Sequence, residues 1–238
     1  GHPFSLNLGD TAGAAQQFRI ALAHARSNAD RDQADKILLP AVTWGFAGLA
    51  ACLHQSDPAE SVANYRRAMK VLEELLQSAP QNADYRDYLA LDCWQISYPL
   101  RKLGRQEEAL AELRRSLELR PSAPAHNAMG DLWLEADDRP KAGEEYQRAL
   151  ELAERELAGK PHMMALRRDL ADCYERLGSY YAGPGEWRQA RDWYAKSVEL
   201  WNTWTKRGAS SVYDQRRRTQ AARTLARHDR LLSINSPK

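Results

Sequence analysis

The chain has 238 residues, of which 43% are hydrophobic and 28% charged, so it can form a sizeable core. Cys52, Cys93 and Cys173 stand far apart without a CxxC pair, which argues against a zinc ribbon and a disulfide scaffold and favours a reducing compartment. No apolar run approaches the roughly 20 residues that span a bilayer, and no signal peptide opens the chain. We therefore expect a cytoplasmic protein without a membrane span in this segment.

The formal net charge of +2 is unevenly distributed along the chain. Residues 206–238 carry nine Lys and Arg against Asp214 and Asp229, a net charge of +7, whereas the preceding residues carry a net charge of −5. Such a basic end is typical of a nucleic-acid or phosphate contact, or of a final helix with a solvated arginine face.

Apolar residues recur at intervals of three and four almost throughout, so the sequence predicts an all-α protein. It also enters its repeat pattern midway and lacks an initiator methionine, which indicates a fragment of a longer chain. In chain order we predict a half repeat over 1–34, helical hairpins over 35–80, 81–121, 122–160 and 161–206, and a basic capping helix and tail over 207–238.

Small and large residues alternate between the two helices of these hairpins. In "LGSYYAGPGEWRQARDWYAKSVEL", residues 177–200, Gly178 and Ala190 allow close backbone approach while Tyr181 and Tyr194 fill the adjoining space. Gly185 suits the turn between the helices. The small residues of the second helices, spaced by 47, 48, 33 and 48 positions, are Ala14, Ser61, Ala109, Ala142 and Ala190.

This pattern resembles the tetratricopeptide repeat, and the resemblance is most complete from Tyr174 to Ser197. Most spacings exceed the usual repeat of about 34 residues, which predicts hairpins lengthened by roughly two turns in each helix. The resemblance implies an α-solenoid, a right-handed superhelix of antiparallel hairpins with a C-terminal capping helix. It also implies a concave groove, lined by the first helices, that binds a peptide or protein segment.

Candidate groove residues follow from their spacing beside the predicted core. Trp94, Tyr98 and Arg101 lie next to the apolar positions of their helix, and these residue types dominate interface energetics. The alternative is that Trp94 and Tyr98 only pack between the enlarged hairpins. An aromatic and acidic groove favours a basic or apolar segment over an acidic C-terminal peptide. The groove positions of the later hairpins are Asn127, Asp131, Asp172, Glu175 and Ser179.

Catalytic and metal-binding patterns do not stand out. The histidines are scattered without HExxH, the cysteines suit buried core positions, and the abundant carboxylates lie opposite the apolar stripes. We therefore predict no catalytic residue, no metal and no cofactor, and a fragment that is not an enzyme. A protein or peptide is the expected partner, nucleic acid is the less expected one, and self-association into a homo-oligomer stays open.

The opening "GHPFSLNLGDTAGAAQQFRIAL", residues 1–22, resembles the repeat region that follows the catalytic domain in some large bacterial serine/threonine protein kinases. This resemblance implies a regulatory or partner-recruiting arm of a signalling kinase. The alternative function is a nucleic-acid or phosphate-binding module that uses the basic C-terminal helix. Its candidate residues are Arg216, Arg217, Arg218, Arg223, Arg227 and Arg230.

Overall fold

A computed structural model describes residues 12–20, 38–183, 186–205 and 211–235, and every regular element within them is an α-helix. The all-α prediction is confirmed. The helices are α1 over residues 12–20, α2 (Leu38–Leu53), α3 (Pro58–Ser78), α4 (Ala83–Gln95), α5 (Ser97–Lys102), α6 (Gln106–Leu119), α7 (Ala123–Glu135), α8 (Arg139–Gly159), α9 (Met164–Ala182), α10 (Trp187–Thr205) and α11 (Val212–Asn235).

Side-chain caps mark the start of α3, α4, α7 and α8. In each case a short polar side chain accepts a hydrogen bond from the backbone N–H three residues later, which satisfies one of the free amides of the first turn. Proline also occupies the first or second position of α3, α7 and α8, where its missing N–H costs nothing. The capping residues of α3, α4, α7 and α8 are Asp57, Asn82, Ser122 and Asp138.

The same turn joins α5 to α6 and α7 to α8. Gly104 has φ 73° in the first turn and Asp137 has φ 60° in the second, one short repeat of 33 residues later. The amide of the next residue bonds back to Leu100 in one turn and to Trp133 in the other, which closes the end of the preceding helix. The turn predicted at Gly185 falls on a residue outside the described ranges.

Contacts divide the chain into two compact units, Gly1–Pro121 and Ser122–Lys238. The boundary coincides with the predicted boundary between the hairpins 81–121 and 122–160, and a single domain over 1–238 stays a prediction. In unit 1, α2 packs on α3, α4 and α5 pack on α6, and α3 contacts both α4 and α5. In unit 2, α8 packs between α7 and α9, and α10 packs between α9 and α11.

The first helix of the second hairpin is interrupted, which the sequence pattern did not predict. Pro99 has no N–H to offer the carbonyl of Gln95, so α4 ends there and α5 begins at Ser97. Ile96 between them keeps a right-handed helical backbone, with φ −62° and ψ −22°. The side-chain faces of α4 and α5 therefore continue into each other.

Close approach of paired helices follows the predicted pattern. A Cβ added to Gly130 would lie 2.6 Å from the ring of Tyr146, and one added to Gly178 would lie 2.8 Å from the ring of Tyr194. The small second-helix residues Ser61, Ala109, Ala142 and Ala190 are fully buried. Lengthening of the hairpins is also visible, since α3 and α8 have 21 residues each and α6 has 14.

The buried stripe of α11 differs from the predicted one. The spacing of apolar residues predicts a stripe of Val212, Ala222, Leu225, Ala226 and Leu232 against the preceding repeat. Ala222 and Ala226 are exposed instead, and the buried positions are Asp214, Ala221 and His228. The stripe was misplaced because Asp214 is buried with an ion-pair partner, which a search for apolar periodicity cannot find.

Asp92 of α4 is a buried acid, 3% exposed, and the described part of the chain places no cation in ion-pair contact with it. Burial raises the pKa of this carboxyl well above its usual range, which favours its neutral form in the folded chain. The free energy of unfolding then falls as the pH rises from about 3.9, the pKa of an aspartate in the unfolded chain, toward the higher pKa of Asp92 in the folded chain. Asp92→Asn should therefore melt a few degrees above the parent at pH 7 and level with it near pH 4.

Circular dichroism melts at several pH values measure this difference, with Asp87→Asn as the control because Asp87 is an exposed residue of the same helix. The control should stay close to the parent at every pH, as surface substitutions usually do. A parent more stable than Asp92→Asn at pH 7 would mean that the carboxylate is ionised and stabilised in the fold.

Candidate functional site

Three predicted groove residues share one face of α4 and α5, which we call the aromatic stripe: Trp94, Tyr98 and Arg101. Their spacing of four and three residues places them within about 60° around the helix axis. All three are half-buried. The neighbouring apolar residues are completely buried and anchor the stripe to the core of unit 1, and they are Cys93, Ile96 and Leu100.

Trp94 and Tyr98 contact each other edge to face, with ring centroids 6.0 Å apart and an interplanar angle of 70°. The Nε1 atom of Trp94 is shielded from solvent and has no hydrogen-bond partner among the described residues. The indole N–H therefore points inward. What Trp94 offers to a partner is the apolar part of its ring.

Two contacts fix the aromatic stripe on the preceding hairpin. The Tyr65 hydroxyl donates to Oε1 of Gln95 at 2.7 Å, and the ammonium of Lys102 donates to the carbonyl of Gln55 at 2.6 Å. Tyr65 is itself 2% exposed. Because one contact comes from α3 and the other from the turn between α2 and α3, both ends of the stripe are held on the preceding hairpin and it forms a preorganised surface.

Asn127 and Asp131 in unit 2 are engaged within the fold. Asn127 is 2% exposed and donates from Nδ2 to the sulfur of Cys173 at 3.3 Å, so it lies in the packing between α7 and α9. Asp131 accepts hydrogen bonds from the Tyr146 hydroxyl, at 2.8 Å, and from Arg176. Asn127 is therefore buried rather than presented at a surface.

Asp172 and Glu175 of α9 form the acidic pocket, which contains a cation from the end of the same chain. Arg217 of α11 donates to both carboxylates, at 2.8 Å to Glu175, and only 22% of its side chain is exposed. Burial lowers the pKa of Arg217, but the two carboxylates outweigh burial and raise it above its usual range. Ser197 also donates to Glu175 at 3.0 Å.

Ser179 is the one exposed residue among the predicted groove positions of unit 2. Its hydroxyl lies 2.8 Å from the hydroxyl of Tyr194. Sequence reasoning missed Arg176 and Arg217 as the partners of the predicted acids. Arg176 lies 45 residues after its partner Asp131, and Arg217 lies 45 residues after its partner Asp172. This shared spacing was the signal in the sequence that could have identified both pairs.

The alternative basic patch is divided by the fold. Arg216, Arg218, Arg223, Arg227 and Arg230 are exposed, whereas Arg217 belongs to the acidic pocket. Asp214 is buried beside Arg168, which donates to both carboxylate oxygens at 2.8 and 3.0 Å. Burial raises the pKa of Asp214, but Arg168 and Ser211 outweigh it and lower the pKa below its usual range.

The cysteines lie where the sequence predicts buried thiols. Cys93 and Cys173 are fully buried and Cys52 is half-buried. Burial raises the pKa of Cys93 well above its usual range and that of Cys173 to about 12, so neither is a thiolate near neutral pH. In the described ranges, no cluster of three His, Cys, Asp or Glu side chains has the arrangement of a metal site. Likewise, no described helix combines the length and apolar composition needed to cross a bilayer.

Comparisons with known proteins support the fold. The family model "Tetratricopeptide repeat" matches residues 93–122, which include the aromatic stripe. The crystal structure of BtubC (BKLC) from P. vanneervenii is similar at a TM-score of 0.62 and 15% identity, covering 96% of this chain and 94% of that one. No curated protein matches the chain.

Two further solved structures give lower scores. The thermophilic TPR protein TTC0263 of Thermus thermophilus has a TM-score of 0.48 at 19% identity, covering 93% of this chain and 97% of that one. MamA has a TM-score of 0.37 at 18% identity, covering 70% and 87%. The family match and the consecutive pairing of helices agree with each other. The chain therefore contains a tetratricopeptide repeat at residues 93–122, within an all-α array of helical hairpins.

Proposed function

We propose that the protein is an interaction scaffold whose unit 1 binds an extended segment of a partner protein along the aromatic stripe. A tetratricopeptide fold supports a role in protein–protein interaction and is generally non-catalytic. The observation that carries the finer proposal is the half-exposed pair of Trp94 and Tyr98 beside a fully buried row of core residues. Rigid aromatic side chains next to Arg101 have the composition of an interface hot spot.

The partner segment presents an apolar or proline side chain to the rings. This follows from Trp94, whose N–H is directed inward and leaves only the apolar ring for recognition. Of the two partner classes that the sequence favours, a basic and an apolar segment, the contacts of the charged residues argue against the basic one. Arg101 stands on the stripe, and in unit 2 the acids Asp131, Asp172 and Glu175 already pair with arginines of the chain itself.

Selection of extended peptides on the full chain, followed by calorimetry, tests this proposal. Trp94→Ala should weaken the selected peptides about 30-fold or more, the loss expected for an aromatic hot spot. Trp133→Ala is the matched control, because Trp133 is also a half-buried first-helix tryptophan but packs beside the core of unit 2, with the ammonium of Lys141 over its ring. Both variants must keep the parent helical content. Equal affinity of the parent and Trp94→Ala would overturn the proposal.

Kinase association stays a prediction from the opening residues. Of the segment 1–22 that carries the resemblance, only residues 12–20 are described, and they form α1. A parent chain with a kinase domain would make the scaffold its partner-recruiting arm. Peptide sequencing of the full-length protein from its source cell by mass spectrometry tests this: a parent chain without kinase sequence would exclude it.

A further inference from the structure

Four arginines of α11 form a continuous line on one face of the helix. Arg223, Arg227 and Arg230 follow Arg216 by 7, 11 and 14 residues, and at about 100° per residue they all lie within about 40° of it around the axis. All four side chains are exposed. With a rise of about 1.5 Å per residue, this arginine stripe is roughly 21 Å long.

The fold leaves the charge of the arginine stripe uncompensated. The two acids of α11, Asp214 and Asp229, pair with Arg168 and Arg191 of neighbouring helices. Among the described residues, no carboxylate lies within ion-pair distance of the stripe, and Arg230 donates only to a carbonyl of its own helix, that of Ala226. Like charges three and four residues apart repel one another, and an anion bound along the stripe would relieve that repulsion.

An open stretch of surface formed by α11 itself separates the first two arginines of the stripe. Guanidinium groups at its two ends can each bind an anionic oxygen pair in a bidentate manner, and neutral amides and hydroxyls lie between them. Its lining residues are Gln215, Arg216, Thr219, Gln220, Arg223 and Thr224.

The composition of this face identifies the class of anion. The positions 216, 219, 220, 223, 227 and 230 hold only arginine, glutamine and threonine. A protein interface needs a buried apolar centre and an interfacial membrane helix needs an apolar face, and the stripe provides neither. A polar, strongly positive surface is typical of contacts with nucleic acid. We propose that the arginine stripe binds the phosphate backbone of a nucleic acid, without reading its sequence.

The salt dependence of binding to a DNA duplex of about 20 base pairs tests the proposal on the full chain. Three to four phosphate contacts predict a slope of log affinity against log salt near −3, that is, roughly a hundredfold loss between about 50 and 200 mM salt. Arg223→Gln should reduce the slope by about 1. Arg218→Gln is the matched control, because Arg218 is an exposed arginine of α11 about half a turn away from the stripe.

Three outcomes would overturn the proposal: no duplex binding at low salt, equal losses for Arg223→Gln and Arg218→Gln, or tighter binding of a polyglutamate peptide or of anionic lipid vesicles than of the duplex. Equal losses for the two variants would mean that the duplex responds to the overall positive charge of α11 and not to the stripe. Tighter binding of polyglutamate or of vesicles would mean that the stripe binds an acidic protein segment or a membrane surface. Circular dichroism of both variants establishes that a loss does not reflect unfolding.

Discussion

Replacing Trp201 with alanine is expected to lower the stability of unit 2 by about 3–5 kcal/mol, the cost of truncating a buried tryptophan. Trp201 of α10 is 2% exposed and packs between Ala171 of α9 and Ala221 of α11. Its indole N–H also points toward Oε1 of Glu175 at 3.4 Å. Because one side chain joins three helices, its loss should release α11 before the rest of the unit unfolds.

Hydrogen exchange measured by mass spectrometry resolves this effect helix by helix. In Trp201→Ala the amides of α11 should exchange much faster, while those of α2 to α6 serve as the internal reference, since repeat stability depends on neighbouring contacts. Trp193→Ala on the same helix is the control, because Trp193 is half-buried and stacked on Tyr174 at 5.8 Å. Unchanged exchange in α11 after loss of Trp201 would refute its role as the anchor.

Replacing Arg217 with alanine is expected to cost about 2 kcal/mol, between the values for exposed and fully buried ion pairs. The substitution leaves Asp172 and Glu175 facing each other without their common cation. Chemical denaturation at neutral pH measures the loss. Arg216→Ala is the matched control, since Arg216 is the preceding residue and is exposed, and its removal should change stability by less than about 0.5 kcal/mol.

A rescue variant separates lost charge pairing from lost packing. Adding Asp172→Asn and Glu175→Gln to Arg217→Ala removes the unpaired charges and should recover a large part of the stability, because an uncompensated charge is what makes a broken pair costly. No recovery would mean that Arg217 contributes mainly through the packing of its hydrocarbon stem.

The fold could be predicted from the sequence because closely packed helices need small and large residues at regular intervals. Gly178 lies against Tyr194 as their spacing predicts, and Gly130 lies against Tyr146 in the same way. The break between α4 and α5 was missed because Pro99 acts on a carbonyl four residues earlier, within a pattern that otherwise remains helical.

The site was less predictable because its charges pair across helices. Spacing placed Asp172 and Glu175 on the first-helix face, but nothing within that helix indicates that Arg217 will reach both of them. Asn127 looks polar and available in the sequence, yet it is buried against Cys173. Trp94 and Tyr98 lie side by side on one helix face as their four-residue spacing requires, while their role as groove residues stays a prediction.

Photo-crosslinking at position 94 tests the central claim most directly. A p-benzoylphenylalanine in place of Trp94 should crosslink to a selected peptide or to a captured partner, and the same group in place of Trp133 should not. Unmodified peptide in excess should suppress the crosslink. Crosslinking from position 133 with none from position 94 would contradict the account, because the partner would then occupy a surface other than the aromatic stripe.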